Sequence, residues 1–221
     1  MKLNLVKITI HELLRYGIHI GYSKQYLNSQ IKPYLVGFRG QFNIFNLKPV
    51  KYQFKALLHF ITNIASWRQS LLMINHYKES LSLYKVFKSQ KRCYLVEGFW
   101  LGGFLTNFKT IRLYTNYMSK EKNPLLQDFN SLPALLVFLN TTTDNWGVRE
   151  GLNLNIPLAV ATGSNYNLLQ KTIYPLVASN ETTEAQIFYS NLIKRAVLRG
   201  SHQEKFNVIP LRKPRIQRKK Y

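Results

Sequence analysis

The chain has 221 residues, 46% of them apolar, which is enough to bury a full core. Its 31 Lys plus Arg against 10 Asp plus Glu give a formal charge of +21, a self-repulsion that disfavours a free cytosolic enzyme and calls for a polyanionic partner. A single cysteine, Cys93, excludes an intramolecular disulfide and a multi-cysteine zinc module; no apolar run approaches the roughly 20 residues that cross a bilayer.

In chain order, residues 9–16 read as a short helix ending at Gly17. Asn43–Leu47 reads as a strand, and Val50–Trp67 as a helix with Phe54, Leu57, Leu58, Ile61 and Ile64 on one stripe. Leu71–Ile74 is a buried strand, followed by a helix near Lys78–Gln90. Tyr94–Val96 is a third strand, with Cys93 a buried thiol at its start. It leads into Gly102-Gly103 and a helix over 104–118. Leu135–Leu139 and Leu158–Ala161 are further apolar strands, linked by a helix at Val148–Leu154. Thr182–Arg199 is a last helix, ended by Gly200. Short apolar strands alternating with helices predict a parallel sheet covered on both faces.

The positive charge is dispersed and no basic amphipathic helix stands out, which favours RNA over a membrane surface. Most of the 14 Tyr and 13 Phe have apolar surroundings and read as core; a minority are candidates for stacking on unpaired bases.

Trp100 to Arg112 is the most informative stretch. Two glycines follow a bulky aromatic, then Phe104, Leu105, Phe108 and Ile111 fall at helical spacing, with Lys109 and Arg112 three apart. By itself this run also fits a plain strand-to-helix turn with solvated cations. The whole run, however, resembles the W-L-G-G-x-L-T-N-F-K-T-I/V-R signature of the S-two family of small-subunit ribosomal proteins, in its bacterial and organellar form. Further stretches are similar in the same order: His11–Gly21, Asn28–Gly37, Asn43–Leu47, Leu132–Phe138, Val148–Gly151 and Asn155–Thr162. Tyr22 stands where the family usually has histidine, Leu27 where it has tryptophan and Ser29 where it has proline. The resemblance covers roughly residues 9 to 200.

It implies a three-layer α/β/α, flavodoxin-like domain over residues 9–200, after an N-terminal extension at 1–8. It implies a structural role on the solvent side of the small subunit, near the head–body junction, bound to small-subunit rRNA and neighbouring ribosomal proteins. The bacterial relatives carry a long projecting helical hairpin before the Leu132-Pro133 segment. Here only about twenty residues, 113–131, join Arg112 to Leu132, broken by Pro124. At about 1.5 Å per residue that length cannot build a projecting coiled coil, so the hairpin is expected to be lost or strongly shortened.

Residues 201–221 form a basic tail in which Lys205, Arg212, Lys213, Arg215, Arg218, Lys219 and Lys220 face one acid, Glu204. Pro210 and Pro214 prevent a regular helix, and the tail is expected to order against phosphate. The candidate rRNA contacts are Lys24, Lys32, Arg39, Lys109 and Arg112, with Arg212, Lys213, Arg215, Arg218, Lys219 and Lys220 of the tail.

Enzyme chemistry finds little footing. There are two aspartates, Asp128 and Asp144, and the histidines at 11, 19, 59, 76 and 202 lack metal-ligand spacing. Gly163-Ser164-Asn165 could suggest a nucleophile turn, but the G-x-S-x-G elbow is absent. Neither G-x-G-x-x-G nor a Walker pattern occurs, and His19 between Gly17 and Gly21 reads as a packing or backbone-bonding residue. No catalytic residue, cofactor, metal, small-molecule substrate or membrane insertion is therefore expected. The alternative is a free nucleotide- or metabolite-binding α/β protein on the same sheet. Residues 1–7 lack a secretory apolar core and an Arg/Ser-rich transit pattern, and Asn, Lys, Ile, Phe, Tyr and Leu dominate as AT-rich coding would produce. The expectation is an organelle-encoded mitochondrial protein of the matrix ribosome, with the plastid as the less favoured alternative.

Overall fold

The computed structural model describes residues 8–75, 92–97, 100–111, 129, 131–141 and 145–207. The helix expected at 78–90, Arg112, most of the shortened-hairpin region and the tail cations from Arg212 onward lie outside the described residues.

Thr9 opens helix α1 (Ile10–Arg15) through a reciprocal capping box: its hydroxyl accepts from the Glu12 amide, and the Glu12 carboxylate accepts from the Thr9 amide. Asn46 caps α2 (Leu47–Ser66) by accepting from the Lys48 amide, so Leu47 is helical instead of ending the preceding strand, and the helix starts three residues before Val50. Val50, Phe54, Leu57, Leu58, Ile61 and Ile64 are buried along one stripe. Each such burial is worth about 1.5–3 kcal/mol, so this stripe fixes how α2 lies on the sheet.

The central sheet contains β4 (Leu71–Asn75), β5 (Cys93–Glu97), β6 (Leu135–Phe138), β7 (Leu158–Thr162) and β8 (Tyr174–Val177). All four pairings are parallel, in the order β5-β4-β6-β7-β8. The chain enters at β4, steps outward to β5, crosses back to β6 and then proceeds outward, the doubly wound flavodoxin-like order. Strand β8 escapes a pattern reading because it is short and contains Pro175; a proline with no N–H to give the ladder is tolerated at this sheet edge.

Alternate residues of these strands feed two cores. Leu71, Met73, Leu95, Leu135, Val137, Ala159 and Ala161 face α1, α2 and the last helix, α4 (Thr183–Asn207). Leu72, Ile74, Val96, Leu136, Phe138, Leu158 and Val160 face Phe104, Leu105 and helix α3 (Trp146–Asn153). Three layers result. The Cys93 thiol lies in the first core, where burial pushes its pKa up to about 12.

Two helix expectations are corrected. Helix α4 does not stop at Gly200 but runs through it to Asn207. A Cβ at position 200 would sit 2.4 Å from the Thr62 carbonyl oxygen and 2.5 Å from Ala65 Cβ, so this glycine allows close packing of α4 on α2. Residues 102–107 form turns, and regular helix begins only at 108. The amides of Gly103, Leu105 and Thr106 in this segment donate to the Glu150 carboxylate of α3.

Candidate nucleic-acid interface

A second, antiparallel sheet lies outside the three layers, in the order β1-β3-β2: β1 (Ile20–Ser23), β2 (Leu35–Arg39) and β3 (Phe42–Phe45). Strands β1 and β2 carry no clean apolar alternation because most of their residues are half-buried or exposed. Strands β2 and β3 are joined by the two-residue turn Gly40-Gln41, where Gly40 takes φ +60. The tip presents exposed aromatics, Phe38 and Phe42 each being 54% accessible.

This tip gathers two of the anticipated cations. The Lys24 ammonium lies 4.8 Å from the centroid of the Phe38 ring, and the Lys24 amide donates to the Gln41 carbonyl. Arg39 pairs in register with Phe42 and is exposed. Lys32 is exposed on the 3-10 turn Ser29–Tyr34 that leads into β2. Residues 18–46 contain no Asp or Glu, so no carboxylate of this segment neutralises the three. Beside them, the imidazole of His19 has its pKa lowered, first by burial and then by the Arg39 guanidinium.

The small sheet is fastened to the large one by the turn after β7. The Ser164 hydroxyl oxygen accepts from the Tyr22 amide at 3.1 Å and from the Asn43 side-chain amide at 2.8 Å. The Ser164 carbonyl accepts from the Asn28 amide at 2.8 Å, and the Ser179 amide donates to the Ile18 carbonyl at 3.0 Å. A Cβ on Gly163 would lie 2.1 Å from the Tyr22 ring, so only glycine lets that ring seat. Ser164 is fully buried. The Gly163-Ser164 segment is thus a docking point, and the small sheet covers the carboxyl end of β7, where doubly wound proteins that bind nucleotides leave a crevice.

Lys109 stands on a different element, exposed in the first turn of the helix that begins at 108. The preceding glycine turn is held by Glu150 of α3, a role that pattern reading missed. One Glu150 carboxylate oxygen accepts from Trp100 Nε1 at 3.0 Å and from the Gly103 amide at 2.7 Å. The other accepts from the amides of Leu105 at 2.8 Å and Thr106 at 3.2 Å. The carboxylate thus satisfies, from outside, three backbone amides of the turn that precedes the helix, together with the Trp100 indole. Gly103 takes φ +82, which the turn requires. The only local sign of this role is that Glu150 sits between the buried Val148 and Gly151 on an otherwise amphipathic helix.

The structure therefore places Lys24 and Arg39 at the hairpin tip, Lys32 on the turn that enters the other end of β2, and Lys109 apart on the helix after the glycine turn. Among the described residues, no group of three His, Cys, Asp or Glu could hold a metal ion.

A family model described as ribosomal protein S2 matches residues 13–125, more than half of the chain. The small ribosomal subunit protein uS2 of Acidiphilium cryptum is 26% identical over 230 residues, covering 89% of this chain and 88% of its own. That of Colwellia psychrerythraea is 23% identical over 225 residues, covering 89% and 93%. That of Tolumonas auensis is 23% identical over 192 residues, covering 74% and 79%.

Proposed function

The chain belongs to the ribosomal protein S2 family, and from that premise we propose that it binds small-subunit rRNA near the head–body junction of a mitochondrial ribosome. Family membership makes it a structural component of the small ribosomal subunit, not an enzyme. The observation that carries the rRNA reading is the docked hairpin tip, where Lys24 covers Phe38 beside Arg39 with no carboxylate between residues 18 and 46. A backbone phosphate needs cations held in fixed register; an unpaired base needs an exposed ring to stack on. The tip offers both, and Ser164 keeps it rigid against the large sheet. Lys32 and Lys109 extend the cationic surface, and Arg112, Arg212, Lys213, Arg215, Arg218, Lys219 and Lys220 add charge in the sequence. Binding is an equilibrium that releases counterions, with no chemical step. The Asn-, Lys-, Ile- and Phe-rich residue usage supports an organelle-encoded chain, and the departures from the family pattern at Tyr22, Leu27 and Ser29 favour the mitochondrion over the plastid.

Sedimentation tests this reading. The chain should travel with the mitochondrial small subunit and leave it only at high salt. The triple variant K24Q/K32Q/R39Q should bind small-subunit rRNA with a salt slope shallower by up to about 2.1, at about 0.7 per phosphate contact on unpaired strands. A wild-type chain that sediments alone, or a triple variant with the wild-type slope, rejects the assignment. Recovery in plastid ribosomes instead rejects the mitochondrial part.

A further inference from the structure

Helix α3 and the loop after β7 together form an open cleft of about 580 Å³, lined by Arg149, Leu152, Asn153, Asn167, Leu168 and Lys171. Its chemistry is one-sided. Arg149 and Lys171 are exposed cations, Asn153 and Asn167 are exposed amides, and the half-buried Leu152 and Leu168 supply apolar surface. None of the six is acidic. The only carboxylate of α3, Glu150, is turned inward onto the glycine turn. One turn back on the same helix, the Trp146 indole is 64% exposed, with the Arg149 guanidinium 5.5 Å from its ring centroid.

We propose that this cleft is a second RNA site, which takes one unpaired nucleotide of the small-subunit rRNA. Its phosphate lies with Arg149 and Lys171 and its base stacks on Trp146. The cleft volume of about 580 Å³ falls within the roughly 300–1,000 Å³ of pockets that hold small ligands, which a nucleotide matches in size. Base stacking on an exposed aromatic flanked by cations is how single strands are held, while a duplex keeps its bases covered. The site rests on the reading of the chain as an rRNA-binding protein, but uses none of the hairpin-tip residues.

The test is equilibrium binding of the full chain to full-length small-subunit rRNA across a potassium chloride series. R149Q/K171Q should lower the salt slope by about 0.7, for the one phosphate of an unpaired nucleotide. R149K should keep the wild-type slope. W146L should weaken binding about tenfold with the slope unchanged, since stacking carries no counterion release. All three positions are exposed, and circular dichroism verifies that the fold is retained. If wild type binds with a steep slope and both R149Q/K171Q and W146L match it, the cleft site is overturned while the hairpin reading stands. If R149Q/K171Q binds rRNA normally but no longer joins the small subunit, the cleft docks a protein and the proposal is likewise overturned. If wild type ignores rRNA, the hairpin reading and the cleft site both fall.

Discussion

The carboxylate of Glu150 lies 2.7 Å from the amide nitrogen of Gly103, across 47 residues of sequence, and the same side chain accepts from Trp100, Leu105 and Thr106. Four donors converge on one buried carboxylate. The glycine turn therefore owes its shape to α3 as much as to its own backbone.

E150Q removes the charge and presents an amide group to N–H donors. Hydrogen bonds to a charged group contribute about 1.5–3 kcal/mol, and donors left unsatisfied in the interior add to the loss. E150Q should destabilise the protein by about 2–4 kcal/mol in urea unfolding, and the Leu105 and Thr106 amides should exchange faster. Wild-type stability in E150Q would show that the turn stands without its cap.

Gly200 separates two opposed expectations. By helix propensity alone, G200A should stabilise α4 by about 1 kcal/mol. By packing it should destabilise by about 1–3 kcal/mol, because the added methyl meets the Thr62 carbonyl at 2.4 Å and α4 must lift from α2. We expect the loss, seen as a lower urea midpoint; a gain would mean the two helices yield without cost.

Removing the Ser164 hydroxyl takes away the acceptor 3.1 Å from the Tyr22 amide and the nearer of two acceptors of the Asn43 side-chain amide, which keeps the Ser23 carbonyl at 3.4 Å. S164A should cost about 1–3 kcal/mol and speed hydrogen exchange at the Tyr22 amide. A variant chain of unchanged exchange would show that the small sheet docks by packing alone.

The His19 imidazole titrates below its ordinary 6.5, through burial first and the Arg39 guanidinium second. The sign follows from linkage. With the folded-state pKa depressed, the unfolded chain takes up the proton first as pH falls below about 6.5, so the His19 contribution to stability is present above that pH and lost beneath it. H19Q should flatten stability in that window. R39Q should move the His19 titration upward in an NMR pH series; an unmoved titration would leave burial as the sole cause.

Much of the fold was legible from local pattern. The runs Leu71–Ile74, Leu135–Leu139 and Leu158–Ala161 became buried parallel strands because an apolar segment of that length must be covered on both faces. The α2 stripe announced its buried side in the same way. Of the candidate site, Lys24, Lys32, Arg39 and Lys109 stand out in the sequence as candidate rRNA contacts, but the seating of Lys24 on the Phe38 ring of the β2–β3 tip has no local signal.

The amino-acid order by itself determined the alternation of strand and helix, the excess of positive charge and the resemblance to a ribosomal family, since each is written in neighbouring residues or in composition. Only the tertiary structure decided that Glu150 caps the glycine turn, that Ser164 clamps the small sheet, and that Gly200 is a packing surface instead of a helix end. The reason is distance along the chain. Ser164 meets Tyr22 and Asn43 across 142 and 121 residues. A hydrogen bond of that span, or the clearance left by a missing Cβ, has no local period to reveal it and exists only once the layers have closed.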